Sequence, residues 1–521
     1  MENETRIVSF NVNGLLSFIK RRGYNEQTFS NLLKNICNSD NDEHKELNIN
    51  QPEIICIQEC KMSMNEDLNY NVGCPNGYDS YFSLTTNNKR YSGVATYVSK
   101  KSILSVIESI NGFSWLKKDP KLFDTDNNMN SININQIDNE ISRISSTLDY
   151  SIEEIDVEGR CIITDHKQFV VINLYFPLLR EVSDDSNGLS DESNVSNSIN
   201  TNNIDLSRLK YRLAFHEYLF LVLKTISEYS KRKILLLGDF NIVLHSIDSY
   251  CATVNASTKD VVCMKQDNSD GNETTLNKNS ETFPSNIILK LESSNEIYDQ
   301  IKKQILCLIN YFNLSDVYRQ FHPNTKFKYT CWNQMNQLRS RNQGNRIDLF
   351  LLSSDLSESI VNKCEIFNHI YGSDHCPVVL YINNHKIESM LPSTLDNKEK
   401  VKLLPPSLCS KYLPQCRQRQ SSIHSFILNK NNPRSNVENN VIKTTDKNKN
   451  KIQKNPLIPF CKHNAPCNNK IVSKAGKNKG RVYWVCSKPE HEKCDIFIWD
   501  DQHNPSKKQD ISNFVISSKQ K

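Results

Sequence analysis

Short apolar runs that end abruptly in polar residues recur along the chain. Residues 235–242 read LLLGDFNI, follow the basic residues 231–233 and turn polar from Gly238 onward. A short apolar run closed by glycine predicts a buried strand that opens into a polar pocket at its C-terminal end. Taken alone, this stretch is explained equally well as a strand that ends in a functional site or as a strand that ends in an ordinary Asx turn. The pattern is repeated at residues 7–11, 52–59, 346–352 and 373–381. The predicted strand ends therefore carry the polar side chains of Asn11, Glu59, Asp239, Asn241, Asp348, Asp374 and His375.

Longer segments with an apolar residue every three or four positions predict helices at 17–36, 206–229 and 297–312. Shorter runs, several of them alternating between apolar and polar residues, are typical of strands. These predicted strands lie at 78–84, 92–98, 159–164 and 168–177.

Polar segments divide the chain into domains. Three interior segments are rich in Asn, Ser and Asp and have no lasting period, which predicts disordered insertions at 111–158, 183–203 and 250–295. Beyond the main unit at 1–385, a shift to Lys, Asn, Ser, Gln and Pro predicts a disordered linker at 386–456. A small unit at 457–503 and a tail at 504–521 complete the predicted organisation.

Composition narrows the function classes only a little. The 521 residues give room for two or three domains, and 64 Lys and Arg against 59 Asp and Glu leave a net charge of +5, which is weak support for a polyanionic partner. The 17 cysteines are odd in number and mostly isolated, and no signal peptide precedes them, so we expect a reducing compartment and free thiols. No apolar stretch approaches the ~20 residues of a membrane span, and we expect a soluble protein that does not bind membranes.

The side chains at the predicted strand ends favour a metal site. Carboxylate and amide oxygens are hard ligands that suit Mg²⁺ or Mn²⁺, which keep several waters and need only one or two protein carboxylates. Several buried carboxylates that converge are costly without a cation. The pattern therefore predicts Mg²⁺ or Mn²⁺ at this site.

The order of the motifs resembles the exonuclease III branch of the endonuclease/exonuclease/phosphatase family. The resemblance covers roughly the first three quarters of the chain and rests on NVNG at 11–14, QE at 58–59, YSGV at 91–94, NLYFP at 173–177, GDFN at 238–241, RID at 346–348 and GSDH at 372–375. It implies an α/β fold, the four-layer α/β sandwich of DNase I-like enzymes. It also implies a divalent-metal-dependent nuclease that hydrolyses DNA at abasic sites and 3′ ends during base excision repair, in the nucleus.

The resemblance also implies a role for each residue. Glu59 would be the principal metal ligand, assisted by Asn11 and Asp374, with Asp239, Asn241 and His375 as further candidate ligands. Asp239 would activate or orient the attacking water, which Asn241 would hold. His375 would contact a non-bridging phosphate oxygen, with Asp348 fixing its tautomer. Tyr175 would donate to the same phosphate.

The linker contains QSSIHSFI at residues 420–427, which resembles a sliding-clamp interaction box. Gln420, Ile423 and Phe426 would be the clamp-binding residues, although Ile427 stands where an aromatic residue is usual. A chance match in a long polar segment remains the alternative. The basic run at 447–454 is explained equally well as a nuclear import signal or as solvated linker.

The last unit resembles a GRF-type zinc finger. A tetrahedral Zn²⁺ needs four thiolate or imidazole ligands, which Cys461, His463, Cys486 and Cys494 supply, and Cys467 is a competing ligand. A unit this small needs such a metal to fold. Basic and aromatic side chains interleave here and suit phosphate contact and base stacking on a single strand, which makes Lys470, Lys474, Arg481, Tyr483 and Trp484 the predicted DNA-binding residues.

Two other functions remain open at this stage. One is a phosphoesterase of the same fold that acts on inositol phosphates or sphingomyelin. The other is a catalytically degenerate scaffold that binds DNA and the clamp. In every case we expect a monomer.

Overall fold

The computed structural model of the protein contains two compact units. The described residues are 4–38, 51–87, 90–119, 134–179, 204–230, 232–251, 294–333, 337–390, 404–417, 461–463, 467–472, 478, 481–488 and 493–499. One unit extends over Met1–Ser421 and the other over Ser422–Lys521.

The first unit contains two six-stranded sheets. The strands of sheet one are β1 (Glu4–Asn11), β2 (Ile54–Gln58), β3 (Tyr78–Ser83), β4 (Val94–Ser99), β11 (Val361–Ile366) and β12 (Val378–Asn383). The strands of sheet two are β5 (Glu108–Asn111), β6 (Cys161–Asp165), β7 (Phe169–Tyr175), β8 (Lys233–Asp239), β9 (Leu314–Asp316) and β10 (Asp348–Ser353). Sheet one has the order β11-β12-β1-β2-β4-β3, and sheet two has the order β5-β6-β7-β8-β10-β9.

Each sheet contains one parallel pair. These pairs are β1 with β2 and β7 with β8, whereas the other neighbours are antiparallel. A parallel pair needs a crossover connection, and helices provide it in both cases. Leu15–Arg21 and Phe29–Lys34 lie between β1 and β2, and Leu206–Thr225 lies between β7 and β8. As a result, the C-terminal ends of the paired strands meet at one edge of each sheet.

Three clusters of buried apolar residues hold the sheets and helices of the first unit together. Residues such as Ile54 of β2 and Leu235 of β8 form a core between the two sheets. A second core joins the outer face of sheet one to its helices, and a third joins sheet two to the helices over it. The order helix, sheet, sheet, helix is the four-layer α/β sandwich that the resemblance implies, so this prediction is confirmed.

Gly238 allows the two central strands of sheet two to lie close together. Its φ is 131°, and a Cβ built on it would lie 1.9 Å from the carbonyl oxygen of Leu174 in the neighbouring strand. No other residue fits this position without moving the backbone. The glycine therefore allows β7 and β8 to stay paired up to Asp239, the last residue of β8.

Most predicted helices and strands are present, with shifted boundaries. The helix expected at 17–36 is broken into Leu15–Arg21 and Phe29–Lys34, with Gly23 at a φ of 74° after the first piece. The helix expected at 206–229 is present as Leu206–Thr225, continued by a π-helical turn at Ile226–Ser230. The helix expected at 297–312 is Ser294–Tyr311. Shorter helices are Tyr70–Gly73, Trp115–Lys118, Val317–Phe321, Ser354–Ile360 and Asn384–Ser389.

The prediction of a disordered insertion at 111–158 was wrong for much of its length. Helices are formed by Ile134–Leu148 and Ile152–Asp156. Ile137, Ile141, Ile144 and Leu148 are buried on one face of the longer helix, against the helix Leu206–Thr225 and its neighbours. The spacing of these residues is helical, but the intervening Asn, Ser and Asp residues obscured it.

The linker prediction was wrong at residues 404–417, which we call the strap. The strap packs on sheet one, with Cys409, Ser410 and Cys416 buried. The predicted linker also begins within the helix Asn384–Ser389. The clamp box at 420–427, the tail, the insertion at 183–203 and most of the insertion at 250–295 lie outside the described residues.

The second unit has a three-stranded antiparallel sheet. Its strands are β13 (Asn468–Ile471), β14 (Val482–Val485) and β15 (Phe497–Trp499), in that order. Among the described residues of both units, no helix is long and apolar enough to cross a membrane.

Candidate active site and zinc centre

The predicted catalytic side chains meet where the central strands of the two sheets end. Asn11 is the last residue of β1 and pairs with Gln58, immediately before Glu59. Asp239 is the last residue of β8 and lies opposite Asp348, the first residue of β10. The sequence places these groups on separate strands, and the two sheet registers bring them together.

Asn11 bridges the two sheets through its side-chain amide. Its Nδ2 donates to Glu59 Oε1 at 2.8 Å and to Asp239 Oδ2 at 2.9 Å. Its Oδ1 accepts from the backbone N–H of Asn13 at 3.0 Å. In this arrangement the amide holds two carboxylates at a fixed separation instead of offering an oxygen to a metal. The predicted role of Asn11 as a ligand therefore stays a prediction.

Several residues of this site have a left-handed backbone. The φ angle is 49° at Asn13, Glu59 and Asn241 and 50° at Lys61. Asn tolerates this region, but for Glu and Lys it costs roughly 1–3 kcal/mol per residue, a strain that persists only where the surroundings impose it. Backbone hydrogen bonds do so here, since Lys61 N–H donates to Ser92 O at 2.8 Å and Gly14 N–H donates to Glu59 O at 2.8 Å. The strained turn aims the Glu59 carboxylate back at Asn11.

His375 lies between two aspartates. Its Nδ1 is 2.8 Å from Asp348 Oδ2, and its Nε2 is 3.8 Å from Asp239 Oδ2. Burial lowers the pKa of His375, but the carboxylate of Asp348 offsets this effect and raises the pKa well above its usual value. A cationic imidazole donates a hydrogen bond from each ring nitrogen, which suits the predicted contact of His375 with a phosphate oxygen. The predicted ligand role of His375 stays a prediction.

Asp239 is a buried carboxylate that lies near two other carboxylates. Burial raises its pKa, and the charges of Asp348 and Glu59 raise it further, to about 7, while His375 lowers it. Its Oδ1 accepts from the backbone N–H of Asn241 at 2.8 Å. A carboxylate with a pKa near neutral is suited to exchange a proton with water.

Asp374 is held by residues to which sequence reasoning gave no role. Asn13 Nδ2 lies 3.1 Å from each carboxylate oxygen of Asp374, and Lys61 Nζ donates to Asn13 Oδ1 at 2.8 Å. Lys61 also forms an ion pair with Glu59 Oε2 at 3.1 Å. Asn13 belongs to the first motif, so its position was a usable signal, whereas nothing in the sequence marked Lys61. The predicted metal contact of Asp374 stays a prediction.

Tyr175 and Asn241 line the same cleft of about 230 Å³ as Glu59, Asp374 and His375. The Asn241 side-chain amide donates to Phe176 O at 2.9 Å, which fixes its orientation. Arg160 lies over the ring of Tyr175, 4.6 Å from its centroid, and donates to Tyr175 O at 3.2 Å. The structure thus brings both predicted residues into the cleft, and whether they bind water or phosphate stays a prediction.

Arg339 holds the loop that carries Asp374 and His375 in place through hydrogen bonds to its backbone. The guanidinium lies between Trp332 and Tyr371, 4.6 Å and 4.4 Å from the ring centroids. It donates to Ser373 O at 2.8 Å and to His375 O at 3.2 Å. Sequence reasoning missed this contact because Arg339 lies in a polar segment without a motif.

The donor set fits a divalent cation. Ligand atoms of Glu59, Asp239 and His375 all lie within 4.8 Å of one another. The carboxylates of Glu59, Asp239 and Asp348 outnumber the cationic side chains that contact them, His375 and Lys61, among the described residues. A buried excess of negative charge of this kind is stabilised by a metal ion. Glu59 and Asp239 are the two carboxylates placed to hold one.

The second unit brings four predicted zinc ligands together. Ligand atoms of Cys461, His463, Cys486 and Cys494 lie within 4.8 Å of one another. His463 Nδ1 is 3.7 Å from Cys461 Sγ and 3.4 Å from Cys486 Sγ. A tetrahedron with Zn–S and Zn–N bonds of about 2.3 and 2.0 Å has ligand separations of roughly 3.5 Å. The geometry therefore fits Zn²⁺, and Cys467, although buried nearby, is not part of the group.

Aromatic side chains occupy one face of the sheet in this unit. Tyr483 stacks on Phe497 at 4.9 Å, and Arg481 lies 4.0 Å from the ring centroid of Trp499. Trp484 lies on the opposite side of the strand and packs with the cysteines, only 9% exposed. The prediction that Trp484 stacks on DNA is thus contradicted, because successive strand residues face opposite ways. Lys470 is on β13, and Lys474 lies outside the described residues.

Comparisons with known proteins agree with this architecture. The model of the endonuclease/exonuclease/phosphatase family matches residues 8–375, and the model of the GRF zinc finger matches residues 459–503. Three similar proteins are each called DNA-(apurinic or apyrimidinic site) endonuclease 2. The protein from Schizosaccharomyces pombe is 28% identical over 83% of this chain and 68% of its own length. The Xenopus laevis protein is 23% identical over 86% of this chain and 93% of its own length. The Saccharomyces cerevisiae protein is 23% identical over 96% of this chain and 97% of its own length.

Proposed function

Because the chain belongs to the endonuclease/exonuclease/phosphatase family, we propose that it is a DNA-repair nuclease that hydrolyses phosphodiesters at abasic sites and at 3′ ends. The observation that carries this proposal is the convergence of ligand atoms of Glu59, Asp239 and His375 within 4.8 Å of one another, beside a cleft that Glu59 and His375 line. The names of the similar proteins supply the substrate, an apurinic or apyrimidinic site in DNA. The GRF-type finger favours DNA over an inositol phosphate or a lipid as the substrate.

In the proposed reaction, water attacks the phosphorus in line with the leaving oxygen. A divalent cation, when bound, neutralises charge on the phosphate and polarises the leaving oxygen. Glu59 and Asp239 would hold this cation, and we propose Mg²⁺ or Mn²⁺ in this role. Asp239 accepts or directs the proton of the attacking water, and its Oδ1 is held in place by the backbone N–H of Asn241.

The remaining residues stabilise the charge that develops on the phosphate. His375 donates from Nε2 to a non-bridging oxygen while Asp348 holds Nδ1 and keeps the ring cationic. Tyr175 donates to the same phosphate from the other side of the cleft. Asn241, fixed by Phe176 O, holds the water, and Asn11 keeps the two carboxylates apart at a constant distance.

The test compares wild type with Glu59→Gln and Asp239→Asn on an abasic duplex and on a 3′-recessed duplex. Each variant should lose both activities by on the order of 10²–10³-fold or more, since each removes a charge on which the transition state depends. Glu358→Gln is the matched control, because this glutamate is exposed on the helix Ser354–Ile360. Retained cleavage by either active-site variant would place the site elsewhere. DNA binding without turnover by wild type in Mg²⁺ and in Mn²⁺ would support the scaffold alternative.

For the second unit, we propose that zinc is structural and that the aromatic face binds single-stranded DNA. Arg481 would contact phosphate while Tyr483 and Phe497 stack on bases. Phe497→Ala should weaken binding of a single-stranded oligonucleotide without changing the zinc content, whereas Cys486→Ser should lower both. Unchanged binding by Phe497→Ala at normal zinc content would rule out this face.

Other parts of the proposal rest on sequence alone. A sliding clamp would bind Gln420, Ile423 and Phe426, and a Phe426→Ala variant should then lose clamp binding in a pull-down. Nuclear localisation follows from the proposed role in DNA repair. A sedimentation experiment tests the expected monomer.

A further inference from the structure

Two free thiols lie next to each other where the strap contacts the end of the helix Tyr70–Gly73. Cys74 directly follows the helix Tyr70–Gly73, and Cys416 is the penultimate described residue of the strap. Their side chains form a hydrogen bond with each other. Cys74 Sγ also lies 3.9 Å from Cys416 O, and Cys416 Sγ lies 3.7 Å from Asn69 O. The two residues are 342 positions apart in sequence but are neighbours in the structure.

Gly73 makes room for this contact. A Cβ built on Gly73 would lie 2.3 Å from Cys416 Sγ, closer than any real contact allows. The short helix thus ends in a residue without a side chain at the point where the Cys416 thiol is inserted. The strap is further held by Ser410 Oγ, which donates to Ser80 O at 2.9 Å, and by Gln415, which donates to Met64 O at 3.2 Å.

The two thiols differ in exposure and in pKa. Cys416 is buried, whereas Cys74 is half-buried, and both line a cavity of about 550 Å³ that Lys100, Lys411 and Arg417 also line. The hydrogen bond from Cys416 lowers the pKa of Cys74, and Lys100 and Lys411 lower it further, against the opposing effects of burial and of Asp79. For comparison, burial raises the pKa of Cys409 in the same strap. Cys74 is thus the thiol with greater thiolate character and access to small reagents.

We propose that Cys74 and Cys416 form a redox-modification site, at which a hydroperoxide oxidises Cys74 and Cys416 then closes a disulfide that ties the strap to the end of the helix Tyr70–Gly73. In the first step the Cys74 thiolate attacks hydrogen peroxide, the O–O bond breaks, and a sulfenic acid and hydroxide form. In the second step the Cys416 thiol attacks the sulfenic sulfur and loses its proton, and water leaves. Sulfur is oxidised and the peroxide is reduced to hydroxide and water, so the atoms and electrons balance.

The disulfide would fix the point at which the chain leaves the catalytic unit. The strap is now held by hydrogen bonds and by the burial of small side chains, which a local opening can release. A covalent bond across 342 positions of sequence removes that freedom. The site is independent of the proposed nuclease chemistry, since neither cysteine lines the cleft that contains Glu59 and His375.

The experiment treats the full-length chain with hydrogen peroxide, stops the reaction with catalase, alkylates the remaining thiols and maps the peptides by mass spectrometry without reduction. We expect one cross-linked peptide pair that contains Cys74 and Cys416. Cys74→Ser and Cys416→Ser should each abolish this pair, while the matched control Cys409→Ser, in the same strap, should retain it. In Cys416→Ser, dimedone should label Cys74, because its sulfenic acid has lost its partner.

Two results would overturn the proposal. One is recovery of Cys74 and Cys416 as alkylated thiols under peroxide that oxidises other cysteines of the chain. The other is a cross-link of Cys416 to Cys409 or to another cysteine in place of Cys74. Since Cys74→Ser changes a half-buried side chain by a single atom, far-ultraviolet circular dichroism establishes that its result reflects chemistry and not unfolding.

Discussion

The buried ion network around Arg346 should determine whether the catalytic unit is stable. Arg346 is fully buried and donates from Nε and Nη2 to the two carboxylate oxygens of Asp248, each at 2.8 Å. It also donates to both oxygens of Asp316, at 3.2 and 2.6 Å. Arg319 forms a second ion pair with Asp248. The network connects the segment after β8, the end of β9 and the residue two positions before Asp348.

Arg346→Met keeps much of the side-chain volume and removes the charge. Asp316 then loses its Arg346 partner, and Asp248 keeps its contact with Arg319. Breaking a buried ion pair by removing one partner costs about 3–5 kcal/mol, because a charge is left uncompensated. At roughly 2–4 °C per kcal/mol for a domain of 150–250 residues, Tm should fall by roughly 6–20 °C, with the lower values expected for a unit of this size.

Thermal unfolding followed by circular dichroism gives the measurement. Arg90→Met is the matched control, because Arg90 pairs with Glu66 and Asp67 at the surface, where an ion pair contributes only about 0–1 kcal/mol. Adding Asp316→Asn to Arg346→Met should recover part of the loss by removing an orphaned charge. If Arg346→Met lowers Tm no more than Arg90→Met does, the network is not a stabilising element and our reasoning is refuted.

Three further predictions concern the site and its support. Asn11→Ala removes two hydrogen bonds to carboxylates, each worth about 1.5–3 kcal/mol, so kcat/KM on an abasic duplex should fall at least about tenfold. Arg160→Lys loses the planar group that lies over the Tyr175 ring, and we expect kcat to fall by roughly tenfold while KM changes little, since Arg160 acts through Tyr175. Burial raises the pKa of Glu158, but Arg160 and Arg208 lower it to a net value of about 2, against an ordinary value of 4.5. The stability that this carboxylate contributes is thus present above pH 4.5 and is lost as the pH falls toward 2, so Glu158→Gln should make urea unfolding less dependent on pH in that window.

Each of these predictions has an outcome that contradicts it. Asn11→Ala with wild-type kcat/KM would mean that the bridge between the carboxylates has no catalytic value. A rise in KM alone for Arg160→Lys would indicate a direct substrate contact instead of positioning. An unchanged slope of unfolding free energy against pH for Glu158→Gln would mean that this carboxylate does not keep its low pKa in solution. Glu358→Gln, at an exposed glutamate of the helix Ser354–Ile360, is the control for the last experiment.

The sequence indicated which polar side chains would lie together at the strand ends, because their signal is local. An apolar run that ends in Asp239 or in Glu59 marks both the strand and the position of the side chain at its end, and the motif order adds the fold. The role of Asn11 was not predictable, because donation to two carboxylates depends on the distance between two sheets. Lys61 and Arg339 were missed because no motif marks them and because each also contacts residues more than 30 positions away, Asn13 and Ser373.

Amino-acid composition gave wrong predictions of disorder where small polar residues lie on the exposed side of a helix or segment whose other side is buried. The helix Ile134–Leu148 buries four aliphatic residues among Asn, Ser and Asp, and its composition resembles that of a loop. The strap was assigned to the linker because it contains few apolar residues, yet it is held by Ser410 and two cysteines. Trp484 was assigned to DNA because aromatic and basic residues interleave there, and only the pairing of β14 with β15 determines which face it occupies.

The pairing of β1 with β12 has a consequence for how the enzyme is made. The first strand of the catalytic unit lies between β2 and a strand that ends at Asn383, so a nascent chain cannot complete sheet one until that distant segment leaves the ribosome. Asn11 is synthesised early, but Asp239, to which its amide donates, and Ser373, which donates to its backbone oxygen, follow 228 and 362 positions later. Products truncated before Asp374 would lack both β12 and His375, and we expect them to be unable to cut DNA.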